Sequence, residues 1–145
     1  MTAFIRDIAA VLASPILTGD SSVQVCGVSH DSRAIQPGWL FVAVPGAKSD
    51  GHDFVSRAVN AGAAAVLAER PCPQDWPSSI PWIQISGTRQ ALGAVAAAVF
   101  GHPTKKMIVV GITGTNGKTS LTYLLEAMVR AAGGVPGVIG TITYR

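Results

Sequence analysis

The chain has little cysteine: Cys26 and Cys72 stand alone among 145 residues, with no second pair. A disulfide-built scaffold is therefore excluded, and two buried thiols are the expectation. His30, His52 and His102 are dispersed, so no protein-built zinc site is expected. Charged residues make up only 13% against 48% apolar, a balance that excludes disorder and leaves ample material for a core. Long apolar runs are missing too. The stretch from Ala91 to Phe100 is far below the roughly 20 residues a bilayer-crossing helix needs. The apolar run after Asp7 stops at Ser14-Pro15, too short for a signal-peptide core, so a cytoplasmic chain with no membrane partner is expected.

Acids are scarce in the second half. From Arg89 onward, Glu126 alone faces Arg89, Lys105, Lys106, Lys118, Arg130 and Arg145. That imbalance favours a phosphate-bearing ligand, but cations so scattered do not form a nucleic-acid stripe.

Apolar periodicity supplies the elements. Phe4, Ile5, Ile8, Val11 and Leu12 predict a helix over 4–13. Val23–Val28 alternates like a strand, Trp39–Val44 reads as a buried strand, and Ser29–Arg33 is the polar loop between them. Ser49-Asp50-Gly51 offers caps before a helix over 52–62. Strands at 63–67 and 81–85 flank a proline-rich loop, and a helix follows over 88–100. A second domain is expected to start near 89, giving 1–88 and 89–145. In it Met107–Ile112 has no polar alternation, as in a parallel strand covered on both faces. A helix over 118–132 and a strand at 136–140 complete one βαβ unit, too little to cover itself, so the chain is expected to stop in mid-domain. The fold class is α/β: a small α/β domain, then the first βαβ unit of an incomplete P-loop parallel-sheet domain.

The chemistry lies where that strand hands over to that helix. In Gly114-Thr115-Asn116-Gly117-Lys118-Thr119-Ser120 the glycines let successive N–H groups face phosphate oxygens. The helix dipole favours the same charge. Lys118 can reach the outer phosphates of ATP and is the candidate catalytic residue. Thr119 can donate one oxygen to Mg²⁺. The general pattern G-x-x-x-x-G-K-[ST] wants a glycine where Ile112 stands, and the nearest are Gly111 and Gly114.

Thr113–Thr119 resembles the ATP loop of the Mur ligase family, in which this shortened glycine spacing is normal. Asp31-Ser32-Arg33, Pro37–Ala43, Gly46, Asp50–Phe54 and Ala61-Gly62-Ala63 look like the UDP-binding domain of the members that add the third residue and the terminal dipeptide. Thr115 and Gly137–Tyr144 look more like the third-residue branch. The resemblance implies that residues 1–88 bind a UDP-sugar through His30, Ser32, Ala47, Lys48 and Ser49, with only a backbone contact at His30. It further implies an ATP-dependent ligase in peptidoglycan synthesis, joining a diamino acid (diaminopimelate or lysine) to the UDP-N-acetylmuramoyl dipeptide through an acyl phosphate. The amine-binding pocket, further magnesium ligands and amino-acid-selecting domain of the family lie beyond Arg145, so this chain alone is expected to be inactive. A monomer is expected. Three alternatives remain: a stand-alone nucleotide-sugar-binding module, the related ligase adding D-Ala-D-Ala, and a small P-loop kinase. The kinase needs a second acidic metal site that Glu126 is poorly placed to provide.

Overall fold

A computed structural model describes residues 2–47 and 49–140. The chain divides into two compact units, Met1–Met107 and Ile108–Arg145. In the first, β1 (Ala3–Phe4) leads into α1 (Ile5–Ala10), then β2 (Ile16–Thr18), β3 (Gln24–Val25), β4 (Gly27–Ser29) and β5 (Trp39–Val42). A 3-10 turn (Gly51–Phe54) runs into α2 (Val55–Asn60), followed by β6 (Ala65–Ala68), β7 (Trp82–Gln84) and α3 (Thr88–Val99).

The main sheet has five strands in the order β2-β7-β6-β5-β4. β4 to β7 are mutually parallel, and β2 closes one edge antiparallel to β7. A parallel sheet must be covered on both faces, and the side-chain alternation of β5 shows how. Leu40 and Val42 enter one core with Ile5, Ile8, Leu67, Ile83, Val95 and Val99. Phe41 and Ala43 enter another with Val55, Ala58, Val66 and Trp82. Full burial of a side chain of this size is worth about 1.5–3 kcal/mol. Trp76 meets Trp82 edge-on at 4.8 Å between ring centroids on that second face.

Several expectations are corrected. The 88/89 division would sever α3, yet Val95 and Val99 are buried in the core of the first unit, and that unit runs to Met107. The strand expected over 23–28 breaks at Cys26, because β3 pairs with β1 in a separate two-stranded sheet while β4 joins the main one. Cys26 is consequently exposed rather than buried, its thiol directed at the Pro37 and Gly38 carbonyls. Cys72 is half-buried, and burial raises its pKa. β2 was not anticipated: three residues after a proline give too short a pattern to register.

In the second unit the described residues form one helix and no strand. α4 (Lys118–Ala131) forms as expected, but Met107–Ile112 and 136–140 are not strands. A strand exists only by ladder bonds to a neighbour, and the described residues supply none beyond a single bridge at Ile139. Ile108 is accordingly 94% exposed. Among the described residues, no helix is long and apolar enough to cross a membrane.

Because α3 packs in the first core, Val95→Ala should destabilise that unit by about 2 kcal/mol or more, from lost transfer energy plus a cavity. All three tryptophans precede Met107. Urea unfolding followed by tryptophan fluorescence therefore reads this unit, and an unchanged midpoint would place α3 outside it.

Candidate functional site

Parallel strands deliver their following loops to one edge of the sheet, and ligands of such sheets sit beyond that carboxyl edge. β4 and β5 are neighbours, and the segments after them form the walls of a cleft of about 420 Å³. One wall is the loop after β4. There the Asp31 carboxylate accepts hydrogen bonds from the Arg33 amide at 2.9 Å, from Nε at 2.9 Å and from Nη2 at 2.8 Å. Those bonds, the side-chain one foremost, hold the Asp31 carboxyl well below its ordinary range. Ser29 Oγ accepts from the Asp31 amide at 3.0 Å, and Ser32 is buried beside it. His30, Asp31, Ser32 and Arg33 line this wall.

The other wall comes from the turn after β5 and from α2, through Ser49, Phe54 and Arg57. Pro45 and Asp50 bridge across that turn, and Gly51 donates its N–H to the Val44 carbonyl at 3.1 Å. A β-carbon at Gly51 would lie 2.5 Å from the Val44 nitrogen, so no larger residue fits there. Asp50 caps the 3-10 turn: Oδ1 accepts from the His52 amide at 3.0 Å and pairs with His52 Nδ1, while Oδ2 accepts from Arg70. On its far side His52 Nε2 accepts from the Glu69 amide at 3.0 Å and the Arg70 amide at 3.2 Å. These bonds require the tautomer with the proton on Nδ1. The ring, only 4% exposed, thus ties the cleft wall to the end of β6. Glu69 continues the network by accepting from the Thr88 amide at 2.8 Å, where α3 begins.

Of the residues expected to hold a UDP-sugar, His30, Ser32 and Ser49 converge on the cleft. Ala47 is not among its lining residues, and Lys48 lies outside the described residues. Phe54 and Arg57 were missed. Their spacing of three residues puts them on one helical face, and that signal was available in the sequence.

The glycine loop belongs to the second unit. Gly114 has φ +150° and Gly117 φ +74°, and the left-handed Gly117 is the N-cap of α4. Nothing lies within 4 Å of a β-carbon built on Gly117, so its backbone conformation, and not crowding, is what calls for glycine. Lys118 folds back, its Nζ donating to the Gly114 carbonyl and, at 3.4 Å, to that of Thr115. Residues 114–120 are exposed, and the N–H groups of the first turn of α4 have no intrahelical acceptor. Thr122 donates to the Lys118 carbonyl at 2.8 Å, and Glu126 pairs with Arg130 at 3.0 Å, turned to its own helix. Among the described residues, no group of three or more acids, histidines or cysteines could hold a metal.

Comparison with known proteins bears on both places. Residues 24–100 match the Mur ligase family, catalytic domain, and residues 112–145 match the Mur ligase middle domain. A UDP-N-acetylmuramoyl-L-alanyl-D-glutamate--2,6-diaminopimelate ligase of Solibacter usitatus is 44% identical over 92% of this chain and 26% of its own length. One of Geobacter sulfurreducens is 43% identical over 97% of the chain and 27% of its own length. The chain thus spans about a quarter of the curated relatives it matches. A UDP-N-acetylmuramoylalanyl-D-glutamyl-2,6-diaminopimelate--D-alanyl-D-alanyl ligase structure from Acinetobacter baumannii superposes with TM-score 0.72 at 23% identity, covering 90% of this chain and 28% of that one. At that identity the likeness is one of fold.

The Asp50 network predicts an acid response. Hydrogen bonds from the His52 amide and ring lower the Asp50 pKa to about 2. Its contribution is therefore complete above the unfolded value of about 3.9 and is lost as pH falls toward about 2. In urea unfolding, the stability gap between wild type and Asp50→Asn should hold steady above about pH 5 and narrow below about pH 4. A gap unchanged down to pH 2 would show that the carboxylate charge is not what matters there.

Proposed function

The chain belongs to the Mur ligase family, and on that premise we propose that it supplies the nucleotide-sugar cleft and the ATP loop of the ligase that adds a diamino acid to UDP-N-acetylmuramoyl-L-alanyl-D-glutamate in peptidoglycan synthesis. The observation that carries this reading is the loop 114–120: two left-handed glycines and a lysine at the start of a helix, an arrangement suited to phosphates. The names of relatives 43–44% identical support the choice of substrate. The D-Ala-D-Ala alternative has weaker support, since the likeness to that ligase is of fold alone.

In this reading the first unit takes the UDP end of the substrate. Ser32 and Ser49 offer hydroxyl groups for uracil, ribose or phosphate oxygens, His30 contributes its backbone, and Ala47 and Lys48 are the remaining residues assigned to this ligand. In the second, Lys118 exchanges the Gly114 carbonyl for the β- and γ-phosphates, and the N–H groups of residues 117–120 receive their oxygens. The D-glutamate side-chain carboxylate attacks the γ-phosphorus and ADP leaves. The diamino acid's amine then attacks the acyl carbon and phosphate leaves. The share of Lys118 is electrostatic, offsetting charge on the transferring group. Mg²⁺ bound with the nucleotide would add to that offset. The exposed Thr119 fits it as a single oxygen ligand, the remainder being phosphate and water oxygens. No residue of this chain is assigned to the incoming amine, so these 145 residues by themselves are expected to bind without ligating. A monomer acting in the cytoplasm completes the proposal.

Calorimetric titration with the UDP-muramoyl dipeptide should show saturable binding, weakened about 5- to 10-fold by Ser32→Ala through loss of one hydrogen bond. A folded chain that does not bind would remove the cleft from the proposal. Independently, ATP with Mg²⁺ should bind wild type and be weakened at least about tenfold by Lys118→Ala, with circular dichroism unchanged. Equal affinity in the two proteins would refute the phosphate role of Lys118.

A further inference from the structure

The arginines of the chain differ in what holds them. Arg33 is locked onto Asp31, and Arg70 lies on Asp50 and, at 3.8 Å, on Asp53. Arg130 is held by Glu126 and Arg89 donates to the Pro45 carbonyl. Arg6 lies over the Phe4 ring at 4.1 Å and beside Asp7. Arg57 differs from all of these: among the described residues its guanidinium has no ion pair and no hydrogen bond. Its helical neighbour one turn back, Asp53, is the natural partner at i−4, and Arg70 engages that carboxylate instead.

This unengaged cation lines the cleft beside Ser32 and Ser49. The charge of Arg33 in the same cleft is offset by Asp31, which stays ionised through neutral pH. An unpaired guanidinium offers five N–H donors in a planar fork that matches phosphate oxygens. Phe54, 37% exposed on the same wall, presents an apolar face suited to a flat base or to the ribose. A ligand that is aromatic at one end and multiply anionic at the other matches this pairing, and a nucleoside diphosphate has both ends.

We infer that Arg57 reads the diphosphate of the ligand in this cleft and so discriminates a nucleoside diphosphate from the bare nucleoside, an inference that rests on the nucleotide-sugar reading above. The discrimination follows from charge: each added phosphate gains an interaction with Arg57 that the uncharged nucleoside lacks.

The test is titration of the chain with uridine, UMP and UDP, for wild type, Arg57→Gln and Arg57→Lys, with circular dichroism to establish folding. Wild type should prefer UDP to uridine. Arg57→Gln should lose about tenfold or more in UDP affinity while uridine changes less than about twofold, and Arg57→Lys should lose less because it keeps the charge without the fork. Unchanged UDP affinity in Arg57→Gln would overturn the inference while leaving the nucleotide site intact. Equal losses for UDP and uridine would also overturn it, since they mark a structural role. A folded wild type that binds none of the three would instead overturn the nucleotide-site reading beneath it. Should Arg57→Gln fail to fold, Arg57→Lys decides: equal or greater loss for uridine than for UDP refutes the inference.

Discussion

Burial of β5 on both faces is the constraint on which the first unit depends. Leu40 and Val42 point into one core and Phe41 and Ala43 into the other, so the strand tolerates no polar position along its length. A strand so placed needs helices on both sides, which α1 and α3 provide on one face and α2 on the other. Its neighbours β4 and β6 run parallel to it, and the crossing from β5 to β6 carries α2 while returning the chain to the same end of the sheet. The cleft follows from this. The loops after β4 and β5 emerge side by side at the carboxyl edge, which brings His30 and Ser32 of the first loop together with Ser49 of the second.

That edge is polar, and the buried side-chain groups of the described residues there are satisfied within the protein. Asp50, His52, Glu69 and Thr88 form a chain of bonds from the turn after β5, across the end of β6, to the start of α3. No buried side-chain nitrogen or oxygen lacks a partner among the described residues. Such a network holds the wall bearing Ser49, Phe54 and Arg57 to the rigid sheet, which suits the ligand-binding role proposed for it. Both ring nitrogens of His52 are engaged by protein groups in this network.

The second unit shows the opposite condition. Its loop geometry is local, depending on two glycine conformations and a helix start, and it forms although Ile108, Val109 and Val110 enter no sheet among the described residues. A helix closes its hydrogen bonds within its own residues, whereas a strand borrows them, so α4 persists where the flanking strands do not.

Local periodicity and turn geometry were legible in the sequence. The buried strand at Trp39–Val42, the helices at 88–99 and 118–131, the Asp50 cap and the loop with Lys118 all depend on residues within a turn or two of one another. Tertiary structure alone decided the rest. The break at Cys26 arises because two sheets compete for one run of alternating residues. The membership of α3 in the first unit comes from packing of Val95 and Val99, since periodicity shows that a face is apolar but not which core receives it. Arg57 could be placed on a helix from its spacing. That it alone among the described arginines is left without a partner depends on Arg70 reaching Asp53 from another strand end, a contact no local pattern encodes.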